Sequence, residues 1–417
     1  MSNLIVSVPN DSAGDIAIAT MRRSSERQAV YRYIEDLSDR ISPEKELTSI
    51  GGRSRTSQPS RAAEILRQLP AHFHLIAVRD GAEGMVMRDF MGLHRDAQAE
   101  SGERGFILDV EPEWPFTLCA LRNGNPTLRL DHTQYLSQLQ VPNAHAKLNY
   151  GDDVKVALID TGCDPSVSIN DFYDVLNTSN YHPGVWGAVD NLGHGTAMAK
   201  IIRDVAPKCD LSVIRVADQA VIPLWHILAG VAIAVIEAEA DIINLSLGLV
   251  SIAGTCSRCG ASGIARSFAL EYLLKSLRKH ASSSYPTSQP PVLVAATGND
   301  GQGNGFYLPA NYDVCLAVGS VNRAVQRSSF STYGNYAHLN YVVAPGGEVT
   351  NSLVTESAIS DNAQPYYGTS ISAAYTSGVL ALFRHDHPNG DLMRLATTLA
   401  VPASPTSECG SGQIIYS

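Results

Sequence analysis

Val154-Lys-Val-Ala-Leu-Ile159, running into Asp160-Thr-Gly162, decides the fold. The run is short, β-rich and apolar, as strands buried on both faces of a parallel sheet are. It ends on a carboxylate and a glycine, so Asp160 emerges at the carboxyl end of a central strand. Active sites of open α/β sheets collect at that edge. Similar runs recur at Leu211–Val216, Ile242–Leu245, Val292–Ala296 and Val314–Val318. Helical stretches stand between them at His194–Asp204, Leu224–Ala238 and Arg266–His280. This alternation predicts an α/β domain with a doubly wound, mostly parallel sheet and helices on both faces.

Three further segments follow in order: Gly193-His194-Gly195-Thr196, Ala295-Ala-Thr-Gly-Asn299, and Gly368-Thr369-Ser370 opening an apolar, small-residue helix. With Asp160 they supply a carboxylate, an imidazole, a side-chain amide and a hydroxyl, the components of acyl transfer by an activated serine. Taken singly, each has a plain structural reading. Asp-Thr-Gly is a strand-end turn, His194 a helix cap, Ser370 an N-cap serine and Asn299 part of an Asn-Asp-Gly turn. Four such accidents in one order, each at a strand or helix end, are not a sensible alternative. Ser370 at a helix N-terminus places free N–H groups and positive dipole beside a developing oxyanion. Ser372, Ala373, Ala374, Ser377 and Gly378 predict that its helix packs tightly through the core.

The bulk numbers narrow the class. At 417 residues the chain has room for two domains. A net charge of −10 argues against a nucleic-acid binder. No apolar stretch reaches the ~18 residues of a membrane span, and Ile227–Ile236, cut short by Glu237 and Glu239, reads as a buried helix. The N-terminus lacks a leader pattern, and the seven cysteines are scattered rather than arranged as a disulfide framework, so a cytoplasmic location is expected. Residues 1–128 form the first expected domain, a small α+β module; residues 129–417 form the second. In the first, Leu4–Val8, Phe73–Val78 and Gly105–Val110 read as strands, and Ser24–Leu37 and Met85–Asp96 as helical segments. Gly51–Ser60 has a disordered composition.

The four segments resemble those of the subtilisin-like serine proteases, from about Gln140 to the C-terminus. The resemblance implies a serine endopeptidase with Asp160, His194 and Ser370 as catalytic triad and Asn299 as oxyanion donor. Asn244-Leu-Ser-Leu-Gly248 is similar to the family's substrate-pairing strand, so Ser246, Leu247 and Gly248 are expected to bind substrate, with Asp218–Ile222 as the opposing edge. Asp300 is expected at the pocket rim, favouring basic side chains. His194 and Asn299 separate the chain from the sedolisins, which carry a glutamate and an aspartate there. Ala197 and Ala374 replace a usual histidine and proline, and Ile201–Pro207 runs on where the family's calcium loop usually stands.

The chemistry requires no cofactor or metal. Cys256-Ser-Arg-Cys259 reads as a reduced pair or local disulfide rather than half a zinc site. The expected partners are a peptide or protein substrate and an intramolecular N-terminal inhibitory domain. Residues 1–128 are either similar to the family's propeptide, in which case self-cleavage near Leu118 to Gln138 releases them, or a dedicated sensor or partner-binding domain. Neither nucleic acid nor membrane is expected as a partner. The role implied is intracellular processing or regulatory proteolysis. The alternative is a catalytically silent subtilase-fold module that binds a peptide or partner.

Overall fold

Successive side chains of a strand point to opposite faces of a sheet, and the strand Lys155–Asp160 is sorted accordingly. Val156 and Leu158 join one apolar core with the helices His194–Val205 and Thr369–Asp386. Ala157 and Ile159 join another with the helices Leu224–Ile236 and Phe268–Ser284. A computed structural model of the chain describes residues 2–10, 31–40, 61–69, 71–78, 85–87, 109–119, 121–122, 132–176, 189–249, 253–255, 262–264, 267–284, 289–303, 305–334, 340–350, 353–356, 359–361 and 364–417.

The largest sheet has seven strands, parallel throughout. Their order is Asn340–Pro345, Cys315–Val321, Val292–Ala296, Ile242–Leu245, Lys155–Asp160, Asp210–Arg215 and Asp171–Asp174. After Lys155–Asp160 the chain builds outward on one side, then returns to add Ile242–Leu245 on the other. The crevice at such a reversal lies outside the carboxyl ends of the two adjoining strands. Here those ends are Asp160 and Leu245, the latter followed by Ser246. The expected doubly wound α/β class is therefore the observed one.

The helix Thr369–Asp386 crosses one core, and its small residues are why it fits. A Cβ at Gly378 would come within 2.6 Å of the Val205 Cβ on the neighbouring helix. Ser377 Oγ accepts from Asn244 Nδ2 at 3.0 Å and donates to the Ala373 carbonyl at 2.9 Å, tying the helix to the central strand.

The N-terminal region forms a four-stranded antiparallel sheet in the order Tyr31–Asp36, Ala71–Val78, Ser2–Pro9 and Asp109–Pro112. Two expected strands, Leu4–Val8 and Phe73–Val78, lie within it. The helix expected over Ser24–Leu37 is corrected: Tyr31–Asp36 is a strand, and a four-residue helix begins only at Leu37. The spacing of Val30, Ile34 and Leu37 mimics a helical stripe, but the aromatic-rich Tyr31-Arg-Tyr33 suits the edge of a sheet and pairs with Ala71–Val78. Ile34, placed on the apolar face of that imagined helix, is instead 38% exposed. Residues 24–30 lie outside the described residues, as do Gly51–Ser60, most of Met85–Asp96, Gly105–Leu108, Cys256 and Cys259.

One face of this sheet docks on the two helices of the second core. Ile5, Leu37, Ala63, Leu66, Phe73 and Leu75 share a cluster with Leu224–Ile236 and Phe268–Ser284. The helix Leu224–Ile236 is apolar nearly all round because it is covered on both sides, and every residue but His226 is buried. Polar groups pin the junction. Trp225 Nε1 donates to Glu35 at 2.8 Å, and Glu111 accepts from the Ala269 N–H at 2.8 Å and Ser267 Oγ at 3.1 Å, satisfying the first turn of the helix Phe268–Ser284. Among the described residues no helix is long and apolar enough to cross a membrane.

Candidate active site

Asp160 leaves its strand with Oδ1 fixed by the Thr161 N–H at 2.7 Å, and the same oxygen faces His194 Nδ1 at 2.7 Å. Both side chains are buried. A carboxylate in that place assigns the ring proton to Nδ1 and leaves Nε2 as a lone pair. Nε2 is buried and has no hydrogen-bond partner among the described residues.

His194 is the first residue of its helix, and Asp190 holds that end. Asp190 Oδ1 accepts from Thr161 Oγ1, the Leu192 N–H and the Gly193 N–H; Oδ2 accepts from the Thr196 N–H and hydroxyl. Burial pushes the Asp190 carboxyl up, but the hydrogen bonds from Thr196, Thr161 and Gly193 outweigh it and hold it below the ordinary aspartate value. Close approach explains Gly195. A Cβ on Gly195 would lie 2.1 Å from the Gly162 carbonyl oxygen, so the strand end and the helix start meet backbone to backbone.

Ser370 is the second residue of the helix Thr369–Asp386. Its hydroxyl donates to the Ser246 carbonyl at 2.7 Å and makes no hydrogen bond to the imidazole Nε2. Asn299 follows the strand Val292–Ala296 and is oriented by Thr369, whose N–H and hydroxyl lie 2.9 and 3.0 Å from Asn299 Oδ1. Its amide is thereby freed to donate outward. The Asn299 Nδ2 group and the Ser370 N–H converge on one oxygen, the backbone carbonyl of Cys119, at 2.6 and 3.0 Å. Two aimed donors around one carbonyl oxygen stabilise negative charge there.

The chain itself delivers that carbonyl. Pro115–Leu118 lies as the middle strand of an antiparallel sheet, between Val221–Pro223 and Leu247–Gly248. Thr117 and Leu118 stand opposite Gly248 and Leu247, and the Cys119 N–H donates to the Ser246 carbonyl at 3.2 Å. Beyond Cys119, Leu121–Arg122 pairs with the strand Gln364–Tyr367, so the backbone runs through the cleft and out the far side. Along the inserted strand Phe116 and Cys119 are buried while Pro115 and Thr117 are exposed. Burial pushes the Cys119 thiol up to about 12, with the charge of Asp160 adding to the rise.

The structure thus brings Asp160, His194, Ser370, Asn299, Ser246, Leu247 and Gly248 to one cleft. Asp300 stands next to Asn299, but its carboxylate is taken by Thr332 Oγ1 at 2.6 Å and the Gln302 N–H at 2.9 Å. Sequence reasoning missed Asp190 and Thr369, which position His194 and Asn299. Thr369 stands inside the Gly368-Thr369-Ser370 motif and Asp190 three residues before Gly193, but neither position by itself discloses its role. Away from the cleft, Asp36, His72 and His74 bring ligand atoms within 4.8 Å of one another, a group that could hold a metal ion. His74 and Asp36 make a 3.3 Å ion-pair contact there, and His72 Nε2 lies 3.0 Å from the Arg67 carbonyl.

Comparison with known proteins speaks to family and fold. A family model described as the subtilase family matches residues 151–404. M-protease of Shouchella clausii (strain KSM-K16) is 30% identical over 293 residues, covering 67% of each chain. Subtilisin Savinase of Lederbergia lenta is 29% identical over 293 residues, covering 67% of this chain and 95% of its own. Among solved structures, a protease of Pseudoalteromonas arctica PAMC 21717 superposes with a TM-score of 0.52 at 22% identity, over 70% of this chain and 97% of its own. MycP1 with its N-terminal propeptide removed gives 0.51 at 24% identity, over 68% and 94%. At those identities the two structures speak for the fold alone.

Proposed function

This chain belongs to the subtilase family and is a subtilisin-like serine endopeptidase, and from that premise we propose that Ser370 is its nucleophile, His194 its general base and Asp160 the group that orients the imidazole. For attack, the Ser370 hydroxyl swings from the Ser246 carbonyl to His194 Nε2, which accepts its proton as Oγ bonds the substrate carbonyl carbon. The oxyanion develops between the Asn299 amide and the Ser370 N–H. His194 then gives its proton to the leaving amine, and water repeats the sequence in reverse on the acyl-enzyme. Asp160 stabilises the imidazolium in both halves.

The observation that supports this reading most is the Cys119 carbonyl, held by two donors beside Ser370 at the end of a strand paired on both edges. Pairing of this kind reads the substrate backbone first and its alternate side chains second. The same observation supports treating residues 1–128 as an inhibitory, propeptide-like domain ahead of a peptidase domain at 129–417. A protease whose cleft is filled by its own chain fits processing or regulatory proteolysis.

A fluorophosphonate probe tests the assignment. The expected outcome is labelling at Ser370 that disappears in Ser370→Ala and falls steeply in His194→Ala. A wild-type protein that stays unlabelled after the N-terminal segment has been removed by limited proteolysis would leave the silent binding module as the better description.

A further inference from the structure

His72 and His74 lie two apart on the strand Ala71–Val78, so their rings share one face of the four-stranded sheet. Phe73 and Leu75, on the other face, pack into the cluster shared with the helices Leu224–Ile236 and Phe268–Ser284. Asp36 stands directly opposite His74 on the neighbouring strand and so joins the histidine face. Each of the three offers a ligand atom, and these atoms lie within 4.8 Å of one another. Two of the three are already aimed. His72 Nε2 donates to the Arg67 carbonyl at 3.0 Å, which leaves Nδ1 as a lone pair. Asp36 Oδ1 accepts from the Ser38 N–H at 2.7 Å and from the Ser38 hydroxyl, which leaves Oδ2 to face His74. A ring N–H given to a backbone carbonyl, and a carboxylate held by its second oxygen, are the means by which ligands are oriented around a metal. His74 Nδ1 stands 3.3 Å from Asp36 Oδ2. That is longer than the roughly 2.7–2.9 Å of a charge-assisted hydrogen bond. It matches the edge, about 3.3 Å, of a tetrahedron built on zinc bonds of about 2.0–2.1 Å.

We propose that Asp36, His72 and His74 form a zinc site in the N-terminal sheet, apart from the catalytic cleft and independent of the triad reading. Two imidazoles and a carboxylate suit a borderline divalent ion such as zinc rather than calcium or magnesium, which take oxygen ligands. Asp36 and His72 are half-buried, so water completes the tetrahedron from the open side. The ion ties the edge strand Tyr31–Asp36 to Ala71–Val78 by more than their backbone ladder. The residues that flank Asp36 are the ones that reach across the junction. Glu35 accepts from Trp225 Nε1 at 2.8 Å, and Leu37 is buried in the shared cluster. An ion on Asp36 therefore holds both of them in place. Zinc supplies no chemistry to the cleft; it steadies the sheet to which the strand in the cleft is tethered.

The test uses full-length Ser370→Ala protein, stripped with a chelator and then dialysed free of it. Zinc added back is expected to bind, and adding Asp36→Asn or His72→Ala to weaken that binding by more than the roughly 10–100-fold that loss of an outer hydrogen bond costs. Cobalt in the same site is expected to show visible ligand-field bands without the near-ultraviolet charge-transfer absorption of a thiolate ligand, which separates the site from the chain's cysteines. Zinc is expected to slow hydrogen exchange in Tyr31–Asp36, and to have no effect there once Asp36→Asn is added. No binding at micromolar zinc overturns the proposal. Binding untouched by either substitution, or a cobalt spectrum with thiolate absorption, places the metal elsewhere and overturns it as well. Zinc that binds with the expected dependence yet leaves exchange in Tyr31–Asp36 unchanged overturns the stapling role and leaves the site. The cobalt spectrum and the exchange are both read on the intact site, so they decide the matter even where a variant misfolds.

Discussion

In the seven-stranded sheet every residue of Val292–Ala296 and Cys315–Val321 is buried, and no charged side chain stands among them. In the four-stranded N-terminal sheet, His74 and Glu111 are buried beside Leu4, Ile5 and Val8, and Asp36 lies against His74. The first sheet is covered on both faces by helices of its own domain. The second buries apolar residues against two helices that already pack on the first. One is a platform whose shape is fixed by close packing. The other is a docked element held in part by groups that titrate and by hydrogen bonds that can be exchanged for water. Changes in the platform should alter chemistry or the whole fold, and changes at the junction should alter only how firmly the cleft stays filled.

The largest effect expected on the platform side is at Ser370. Ser370→Ala should reduce peptide hydrolysis by about 10⁶-fold, the scale known for subtilisin itself, with the melting temperature nearly unchanged by calorimetry. Asn299→Ala should lower kcat by on the order of 10² to 10³, again the scale known for subtilisin, with little change in KM. A KM effect of similar size would mean that Asn299 holds the ground state rather than the oxyanion.

The next prediction tests the junction. Burial, reinforced by Asp109, raises the Glu111 carboxyl from 4.5 to about 7 against the lowering effect of the Ala269, Ser267 and Trp114 hydrogen bonds. A carboxyl with a raised docked pKa binds protons more tightly docked than free. Its favourable contribution is therefore complete below about pH 4.5 and is lost as pH rises through about 7. Hydrogen-exchange protection, corrected for the intrinsic rise of amide exchange with pH, should fall in Ser2–Pro9 and Ala71–Val78 between pH 5 and 8 in Ser370→Ala protein, where cleavage cannot interfere. Glu111→Gln should flatten that profile. A profile unchanged by Glu111→Gln would place the pH dependence elsewhere.

Gly378→Val should return the effect to the platform, forcing the helix Thr369–Asp386 off Val205. Overpacking of that kind costs about 1–3 kcal/mol and lowers the melting temperature. The smallest change is expected at Arg61, whose ion pair with Glu239 is half exposed. Arg61→Ala should shift stability by less than about 1 kcal/mol. A large loss there would mean that the junction is held by its rim rather than by Glu111 and the apolar face.

The same division governs what the sequence discloses. Apolar runs such as Val154–Ile159 and Val292–Ala296 read directly as buried parallel strands because burial on both faces leaves no room for polar alternation. Asp171–Asp174 escaped because it is a short edge strand with a charge at each end. Asp160, His194, Asn299 and Ser370 were legible because their side chains carry the chemistry. Asp190 was not, since its importance lies in accepting hydrogen bonds from backbone and hydroxyl groups that converge only in three dimensions. Cys119 was harder still: what it places in the cleft is a backbone carbonyl, a group every residue carries. In the N-terminal region, Tyr31–Asp36 took strand form because its neighbour Ala71–Val78 offers a ladder, a long-range fact that local spacing does not contain.

The backbone that passes through the cleft has a kinetic meaning. Residues 115–119 are tethered on one side to the four-stranded sheet and continue on the other into Leu121–Arg122. The cleft therefore meets its occupant at a local concentration on the order of millimolar or more, as short tethers give. Dilution does not empty it, and a rival peptide must outcompete a neighbour that never diffuses away. A cut in such a chain is first order in protein, so each molecule keeps its own clock whatever the number of copies around it.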